Sequence, residues 1–172
     1  FHHYTMINVF YTTQRLTTME VFMNNISIFT DGSCDIPVEV MKQYNIKIIP
    51  LHFQFEDHIE YGSEHTMDGE EFYSRLKNGE IAKTSAASPL SAMELLKEEL
   101  EQGNDIICIA LSSSLSCTFN NIRMASLELL DSYPDRRITV IDSGTGSMAM
   151  GMMVIKACML REENYSYDQI IE

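Results

Sequence analysis

The sequence predicts an α/β domain in which a mostly parallel sheet carries helices on both faces. Two observations indicate this architecture. Short apolar segments alternate with segments whose apolar residues recur at helical spacing, which is typical of parallel sheets. Residues 106–111 form a continuously apolar run, as expected for a strand that is covered on both faces. At 172 residues the chain is long enough for one such domain, which we assign to residues 26–172.

The first elements follow a stretch without clear structure. Residues 1–25 show no period of two or 3.6, so we expect an arm or an extraneous extension there. A short strand is predicted at 26–30. Asp35 is then expected to cap a helix that has Pro37 near its start and ends at about residue 44.

The next segment is predicted to contain one strand and one helix. The strand covers residues 46–55, and Pro50 inside it favours a sheet edge or a bend. A polar loop or small hairpin follows at 56–66. A helix then begins at Asp68 and stops at Gly79, because aspartate favours helix starts and glycine favours helix ends.

Three more helices are predicted in the second half of the chain. Ser88 and Pro89 form a helix start, and the apolar stripe behind them ends at Gly103. The strand at 106–111 leads into a second helix, whose apolar positions are Phe119, Ile122, Ala125 and Leu129. A strand at 137–141 precedes a methionine-rich helix, which is apolar almost all round and is therefore expected to be buried.

The last segment starts a further helix. Ser166 is followed by Gln169 three residues later, in the pattern of a capping box. This helix has room for two turns at most before the sequence stops, so we expect a domain that is truncated at its C-terminal end.

The composition is that of a soluble globular protein and argues against several functions. Hydrophobic residues make up 45% and charged residues 22%, and no apolar run reaches the length of a membrane span. A net charge of −13 disfavours binding to nucleic acid and docking on an anionic membrane. The cysteines lack paired spacing, which favours free thiols in a reducing, cytoplasmic compartment; they are Cys34, Cys108, Cys117 and Cys158.

Hydroxyl-rich loops are the candidate functional features. They lie at 84–88, 112–118 and 142–147, at predicted strand ends or helix starts. Open α/β sheets bind ligands at the carboxyl ends of their strands, where free amides of a helix N-terminus and hydroxyls can hold an anion. The loop at 112–118 has no Lys, Arg or Glu, so it suits a compact carboxylate or phosphate. Taken alone, such serines are also ordinary helix caps and turn residues.

Five short motifs together resemble the DegV family of bacterial fatty-acid-binding proteins. They stand in the family's order and spacing: Asp-x-Ser-x-Asp-x-Pro at 31–37, Ile49-Pro50-Leu51, Lys83-Thr84-Ser85, Leu115-Ser116-Cys117-Thr118 and Ile141-Asp142-Ser143. The likeness covers about residues 25–172 and corresponds to the N-terminal domain, without the family's second domain. Cys117 stands where the family motif has glycine, which would strain a backbone of positive φ.

The resemblance implies a lipid carrier that performs no chemistry itself and needs no cofactor or metal. A long-chain fatty acid would be held with its carboxylate on Thr84 and Ser116, while Ser85 and Ser113 are second-rank candidates that shape their loops. A partner fatty acid kinase would then phosphorylate the carboxylate with ATP for phospholipid synthesis. The methionines of 148–159 suit a cavity for a flexible chain, although plain core packing also explains them.

Alternative functions remain open from the sequence. Asp31 and Asp35 could bind Mg²⁺ in a phosphotransferase or phosphohydrolase, and an aspartate there could act as a nucleophile. Cys117 at a helix start could be a catalytic thiolate, although no local motif ties a histidine to it. A serine hydrolase is disfavoured because the sequence has no Gly-x-Ser-x-Gly motif. A fragment that associates through an exposed apolar face is a further alternative.

Overall fold

The structure is a computed structural model that describes residues 25–62 and 66–172. The arm predicted at 1–25 therefore lies outside the described residues, except for Asn25. The elements are, in chain order, β1 (Ile26–Asp31), α1 (Val38–Tyr44), β2 (Lys47–Ile49), β3 (His52–Gln54), β4 (Glu60–Tyr61), α2 (Gly69–Lys77), β5 (Lys83–Ser85), α3 (Pro89–Glu101), β6 (Asp105–Ala110), α4 (Thr118–Ser132), β7 (Ile138–Asp142), α5 (Ser147–Glu162) and α6 (Tyr167–Ile171).

The main sheet has four strands in the order β2-β1-β6-β7, and every neighbouring pair is parallel. Ile28 pairs with Ile107 in the central pair of strands, and Ile107 pairs with Thr139 of β7. The predicted mostly parallel sheet is thereby confirmed. Since all four strands run in one direction, their carboxyl ends meet at a single edge of the sheet.

Helices cover both faces of this sheet, as predicted. In β6 the side chains of Ile107 and Ile109 join a core with buried residues of α5 and α6. The alternate residues Ile106, Cys108 and Ala110 join a second core with buried residues of α3 and α4. Each fully buried Ile or Leu stabilises the fold by roughly 1.5–3 kcal/mol. Strand β6 is apolar on both faces because it contributes side chains to both cores.

A second, antiparallel sheet with the order β4-β3-β5 was not predicted. The single strand predicted at 46–55 is wrong, because the chain leaves the main sheet after Ile49 and enters the second sheet at His52. Pro50 lies at this break, where the absence of an N–H group costs no ladder bond. The hydroxyl-rich loop predicted at 84–88 likewise overlaps strand β5, in which Thr84 pairs with Phe53. We call residues 52–62 and 66–85, which contain β3, β4, α2 and β5, the small lobe.

The small lobe is held together by aromatic rings and one arginine. Phe53 stacks on Tyr61 at 5.2 Å between ring centroids and contacts Phe72 edge-on at 5.0 Å. Arg75 lies over the Phe55 ring at 4.0 Å and pairs with Asp57 and Glu80. These contacts join the β3–β4 hairpin to α2.

The predicted helix starts are confirmed at three places, including Ser88 with Pro89 at the start of α3, and wrong at a fourth. Asp68 caps α2 by accepting a bond from the Glu70 amide at 2.8 Å, and Ser166 forms the predicted capping box with Gln169. Asp35 does not cap α1, which begins after Pro37. Its backbone is left-handed, with φ 50°, and its carboxylate instead accepts a bond from the Ser147 hydroxyl.

The methionine-rich helix α5 is buried on one face only, so the prediction of burial all round is wrong. Met150 and Val154 are fully buried against the sheet. Met148, Met152 and Met159 lie on the opposite face and are 43%, 67% and 41% exposed; we call these three residues the methionine stripe. Within the described residues, no helix combines the length and the hydropathy needed to cross a membrane.

Candidate ligand-binding site

A cleft of about 630 Å³ lies between the small lobe and the carboxyl edge of the main sheet. Its volume is within the range of ordinary small-molecule sites. One wall comes from the loops that follow β1 and β6, and the other comes from the small lobe and the residues that flank it. The lining residues are Gly32, Leu51, His52, Phe53, Thr84, Ser85, Ala86, Leu111, Leu115, Ser116 and Cys117.

The structure brings the two main predicted site residues into this one cleft. Thr84 lines it from strand β5, and Ser116 lines it from the turn between β6 and α4. Ser85 also lines the cleft, next to Thr84. Ser113 does not line the cleft. It lies beside the end of β7, where its amide donates to the Asp142 carboxylate at 3.2 Å. Bonds from Ser113 and from the Gly144 amide lower the pKa of the Asp142 carboxyl.

The amides of the serine-rich turn are already used within the protein. The Leu115 and Ser116 amides both donate to the Ser112 carbonyl, at 2.9 and 3.2 Å. The Ser114 amide donates to the Ser112 hydroxyl, and the Ser112 amide donates to the Thr145 carbonyl. All five amides of residues 112–116 therefore have partners within the protein. Within this turn, a ligand head group can therefore bond to the hydroxyls but not to these amides.

The start of α4 ties the two hydroxyl-bearing walls together. Thr118 is fully buried, and its hydroxyl lies 2.9 Å from the Ser116 hydroxyl and 3.3 Å from the Ala87 amide, which donates to it. Asn121 donates to the Ala87 carbonyl at 2.8 Å. Thr118 and Asn121 were not predicted as site residues, because their shared partner Ala87 is 31 and 34 residues away in the chain.

The two aspartates proposed for metal binding accept hydrogen bonds from neighbouring loops and from the start of α5. Asp31 is fully buried, and its two carboxylate oxygens accept bonds from Ser33 and from the Leu111 amide. Asp35 faces Ser147 instead. No group of three potential His, Cys, Asp or Glu ligands occurs among residues 25–62 and 66–172. The geometry therefore does not support a Mg²⁺ site at Asp31 and Asp35.

The cysteines are free thiols, as predicted. Burial raises the pKa of Cys34 and of Cys108, and it raises the pKa of Cys158 to about 11. Cys117 alone is exposed, and its backbone has φ −74°, so the replacement of the family's glycine causes no strain. Among residues 25–62 and 66–172 no histidine is hydrogen-bonded to Cys117, so this part of the chain forms no Cys–His dyad there.

The cleft is apolar except for hydroxyls, one thiol and one imidazole. None of its lining residues is Asp, Glu, Lys or Arg. His52, which the sequence analysis did not single out, is the imidazole, and its ring lies 3.9 Å from the Glu60 carboxylate. The methionines of α5 do not line this cleft, in contrast to the cavity suggested for them. Neutral donors beside Leu51, Phe53, Leu111 and Leu115 suit a ligand with an oxygen-bearing head and an apolar body.

Comparison with known proteins shows what the chain is similar to. A family model described as "Uncharacterised protein, DegV family" matches residues 25–172. A DegV domain-containing protein of Clostridium perfringens is 31% identical over 150 residues, which cover 86% of this chain and 51% of that protein. One of Caldanaerobacter subterraneus is 34% identical over 149 residues, with coverage of 87% and 51%. The chain thus spans about half the length of the curated relatives it matches.

Solved structures share the fold. A stearic acid-binding protein from Eubacterium ventriosum superposes with a TM-score of 0.79 at 25% identity, over 85% of this chain and 50% of that one. DegV from Bacillus subtilis, described as a fatty acid binding protein, has a TM-score of 0.73 at 31% identity, over 86% and 51%. Both likenesses extend over most of the described chain.

Proposed function

The chain belongs to the DegV family, and we propose that it binds one long-chain fatty acid in the cleft with the carboxylate on Thr84 and Ser116. In this proposal the protein carries out no chemistry itself. It presents the fatty acid to a partner fatty acid kinase, which phosphorylates the carboxylate with ATP and so supplies phospholipid synthesis.

The observation that carries the proposal is the meeting of Thr84 and Ser116 in one uncharged cleft. Hydroxyls donate to a carboxylate without a permanent ion pair, and such charge-assisted bonds are stronger than neutral ones. The fatty acids named for the relatives from Eubacterium ventriosum and Bacillus subtilis are consistent with this ligand class.

The energetics favour a long apolar tail as the main source of affinity. About twelve buried methylenes contribute roughly 10 kcal/mol before the cost of association, at about 0.8 kcal/mol each. Leu51, Phe53, Leu111 and Leu115 are the apolar side chains available for this purpose in the cleft. The head group then needs only a few well-placed donors.

The position of the hydroxyls also supports presentation to a partner enzyme. Thr84, Ser85 and Cys117 are exposed, so the hydroxyl end of the cleft opens to solvent. Leu115, at 71% exposure, stands at the same opening. A bound carboxylate at this opening is within reach of a second protein, whereas a fully enclosed one is not.

The first test is to extract the purified, folded protein with organic solvent and identify any lipid by mass spectrometry. The proposal expects a stoichiometric long-chain fatty acid, or tight binding of one that is added. A folded protein that neither carries nor binds a fatty acid would contradict it. Incubation with Mg²⁺ and a phosphoester serves as the complementary assay, for which we expect no turnover.

The second test removes the two head-group hydroxyls. We predict that Thr84→Ala with Ser116→Ala weakens fatty-acid binding about a hundredfold or more, because bonds to a charged group contribute about 1.5–3 kcal/mol each. Titration with a fluorescent fatty acid measures the loss, and circular dichroism checks the fold. The matched control, Ser113→Ala with Ser114→Ala, removes two exposed hydroxyls of the same turn that do not line the cleft. Equal affinity in the two double variants would remove the site assignment.

A further inference from the structure

Thr118 connects the two sides of the cleft without lining it. It is the first residue of α4, its side chain is fully buried, and it is absent from the cleft wall. Its hydroxyl lies 2.9 Å from the Ser116 hydroxyl and 3.3 Å from the Ala87 amide nitrogen. Ala87 is itself fully buried and lies three residues after Thr84.

The direction of these hydrogen bonds follows from what each group can donate. The Ala87 amide can only donate, so the Thr118 oxygen accepts there. The Thr118 amide donates to the Ser116 oxygen at 3.1 Å. Each hydroxyl has one proton, and the bond between Ser116 and Thr118 can be donated by either side. An anion in the cleft resolves this ambiguity, because it requires the Ser116 proton for itself.

We propose that Thr118 is a positioning residue for the head group, which directs the Ser116 hydroxyl proton toward the carboxylate. This inference rests on the proposed function and deepens it. In the bound state all three hydrogen bonds point the same way. The Ala87 amide donates to Thr118, Thr118 donates to Ser116, and Ser116 donates to the ligand. Hydrogen bonds in such a chain polarise one another, which strengthens the last bond to the anion.

The same residue also sets the spacing of the two head-group hydroxyls. Asn121 donates to the Ala87 carbonyl while Thr118 accepts from the Ala87 amide, so α4 holds both polar groups of one peptide residue. Ala87 follows β5, which carries Thr84, whereas Ser116 lies two residues before the first residue of α4. The wall from the small lobe is thereby fixed relative to the turn. A change at Thr118 must therefore reach the head group through Ser116 and through Ala87.

The test compares Thr118→Val, which keeps the shape but removes the hydroxyl, with Thr118→Ser, which keeps the hydroxyl. Each protein is titrated with palmitate and with 1-hexadecanol, which has the same chain length but no charge. We expect Thr118→Val to weaken palmitate binding about tenfold and hexadecanol binding by much less, because charge-assisted bonds are the stronger ones. Thr118→Ser should restore the preference for the acid. An equal loss for both ligands would show a merely structural role and overturn the proposal.

A second measurement needs no ligand. The exchange rate of the Ala87 amide proton reports whether Thr118 holds it, and we expect faster exchange in Thr118→Val but not in Thr118→Ser. Unchanged exchange would overturn the inference, whatever the ligand. If the wild-type protein binds neither palmitate nor hexadecanol, the proposed function fails, and the positioning role toward a carboxylate falls with it. The two failures are thus distinguished by the wild-type titration.

Discussion

Asp31 is the buried carboxylate that holds the serine turn to the end of β1. One oxygen accepts from the Ser33 amide at 3.0 Å and from the Ser33 hydroxyl, and the other accepts from the Leu111 amide at 2.7 Å. Both oxygens therefore face donors, and the side chain is fully buried. This arrangement requires two acceptors and leaves no place for a donor.

We predict that Asp31→Asn lowers the free energy of unfolding by about 1–3 kcal/mol. The NH₂ group of the asparagine would replace an accepting oxygen and would face an N–H donor without a hydrogen bond. Urea denaturation measures the change. Asp35→Asn is the matched control, since Asp35 is exposed and the asparagine that replaces it keeps an oxygen that can accept from Ser147. Should the two variants lose equal stability, Asp31 would not have the structural role that we assign to it.

Glu99 joins helix α3 to the first two strands of the main sheet. It is only 6% exposed, and it accepts bonds from Ser27 of β1 and from Asn104, and pairs with Lys47 of β2 at 3.1 Å. Burial alone would raise the pKa of its carboxyl. The bonds from Ser27, Lys47 and Asn104 together outweigh burial, so the pKa lies below its ordinary value of 4.5.

This lowered pKa predicts a loss of stability in acid. The folded protein holds the charged form of Glu99 more strongly than the unfolded chain does, so the contribution is present above about pH 4.5 and is lost as the pH falls through the folded-state pKa. We predict that Glu99→Gln is less stable than the wild type at pH 7 and that this difference narrows below pH 4.5. Urea denaturation across pH 3 to 8 tests this, with the exposed neighbour Glu98→Gln as control. A difference that is constant with pH would contradict the assignment.

The elements that the sequence predicted well are those with long, one-sided or two-sided apolar patterns. Strand β6 and helix α3 are of this kind, and both were placed within two residues of their observed ends. The second sheet was missed because its strands have only two or three residues each, and none of these residues is fully buried. Such strands carry too few side chains to show a period of two.

Only part of the candidate site was predicted, because some of its contacts leave no local sequence pattern. Thr84 and Ser116 were identified by resemblance to a family, and the fold brings them into one cleft through the second sheet. Thr118 depends on a contact with Ala87, which no local pattern reveals. The burial of α5 was overestimated because its apolar residues surround the helix, while the sheet can cover only one of its faces.

The methionine stripe is an apolar surface on an otherwise acidic molecule. Exposed contiguous apolar patches commonly mark surfaces of association. The net charge of −13 opposes self-association at low salt, so the behaviour should depend on ionic strength. The sequence left open that the domain associates through an exposed apolar face. This association remains a prediction, and the methionine stripe is the surface to which we assign it.

We predict that the sedimentation coefficient of the protein rises with concentration at moderate salt, and that Met152→Glu reduces this rise. The introduced carboxylate would have to be desolvated in any contact through the stripe. Met124→Glu on α4 is the matched control, because Met124 is 66% exposed and Met152 is 67% exposed. A concentration dependence that Met124→Glu abolishes and Met152→Glu leaves intact would place the contact on α4 instead.

The order of the strands in the main sheet has a consequence for folding during synthesis. Asp31 of β1 and the Leu111 amide, which it holds beside β6, are 80 residues apart in the chain. While β1 and β2 have left the ribosome and β6 has not, β1 has β2 as its sole partner in the main sheet, and its other edge is unpaired. The small lobe pairs locally and can form before that time. The nascent chain thus carries an open central strand until β6 emerges, which is the stage at which protection by a chaperone matters most.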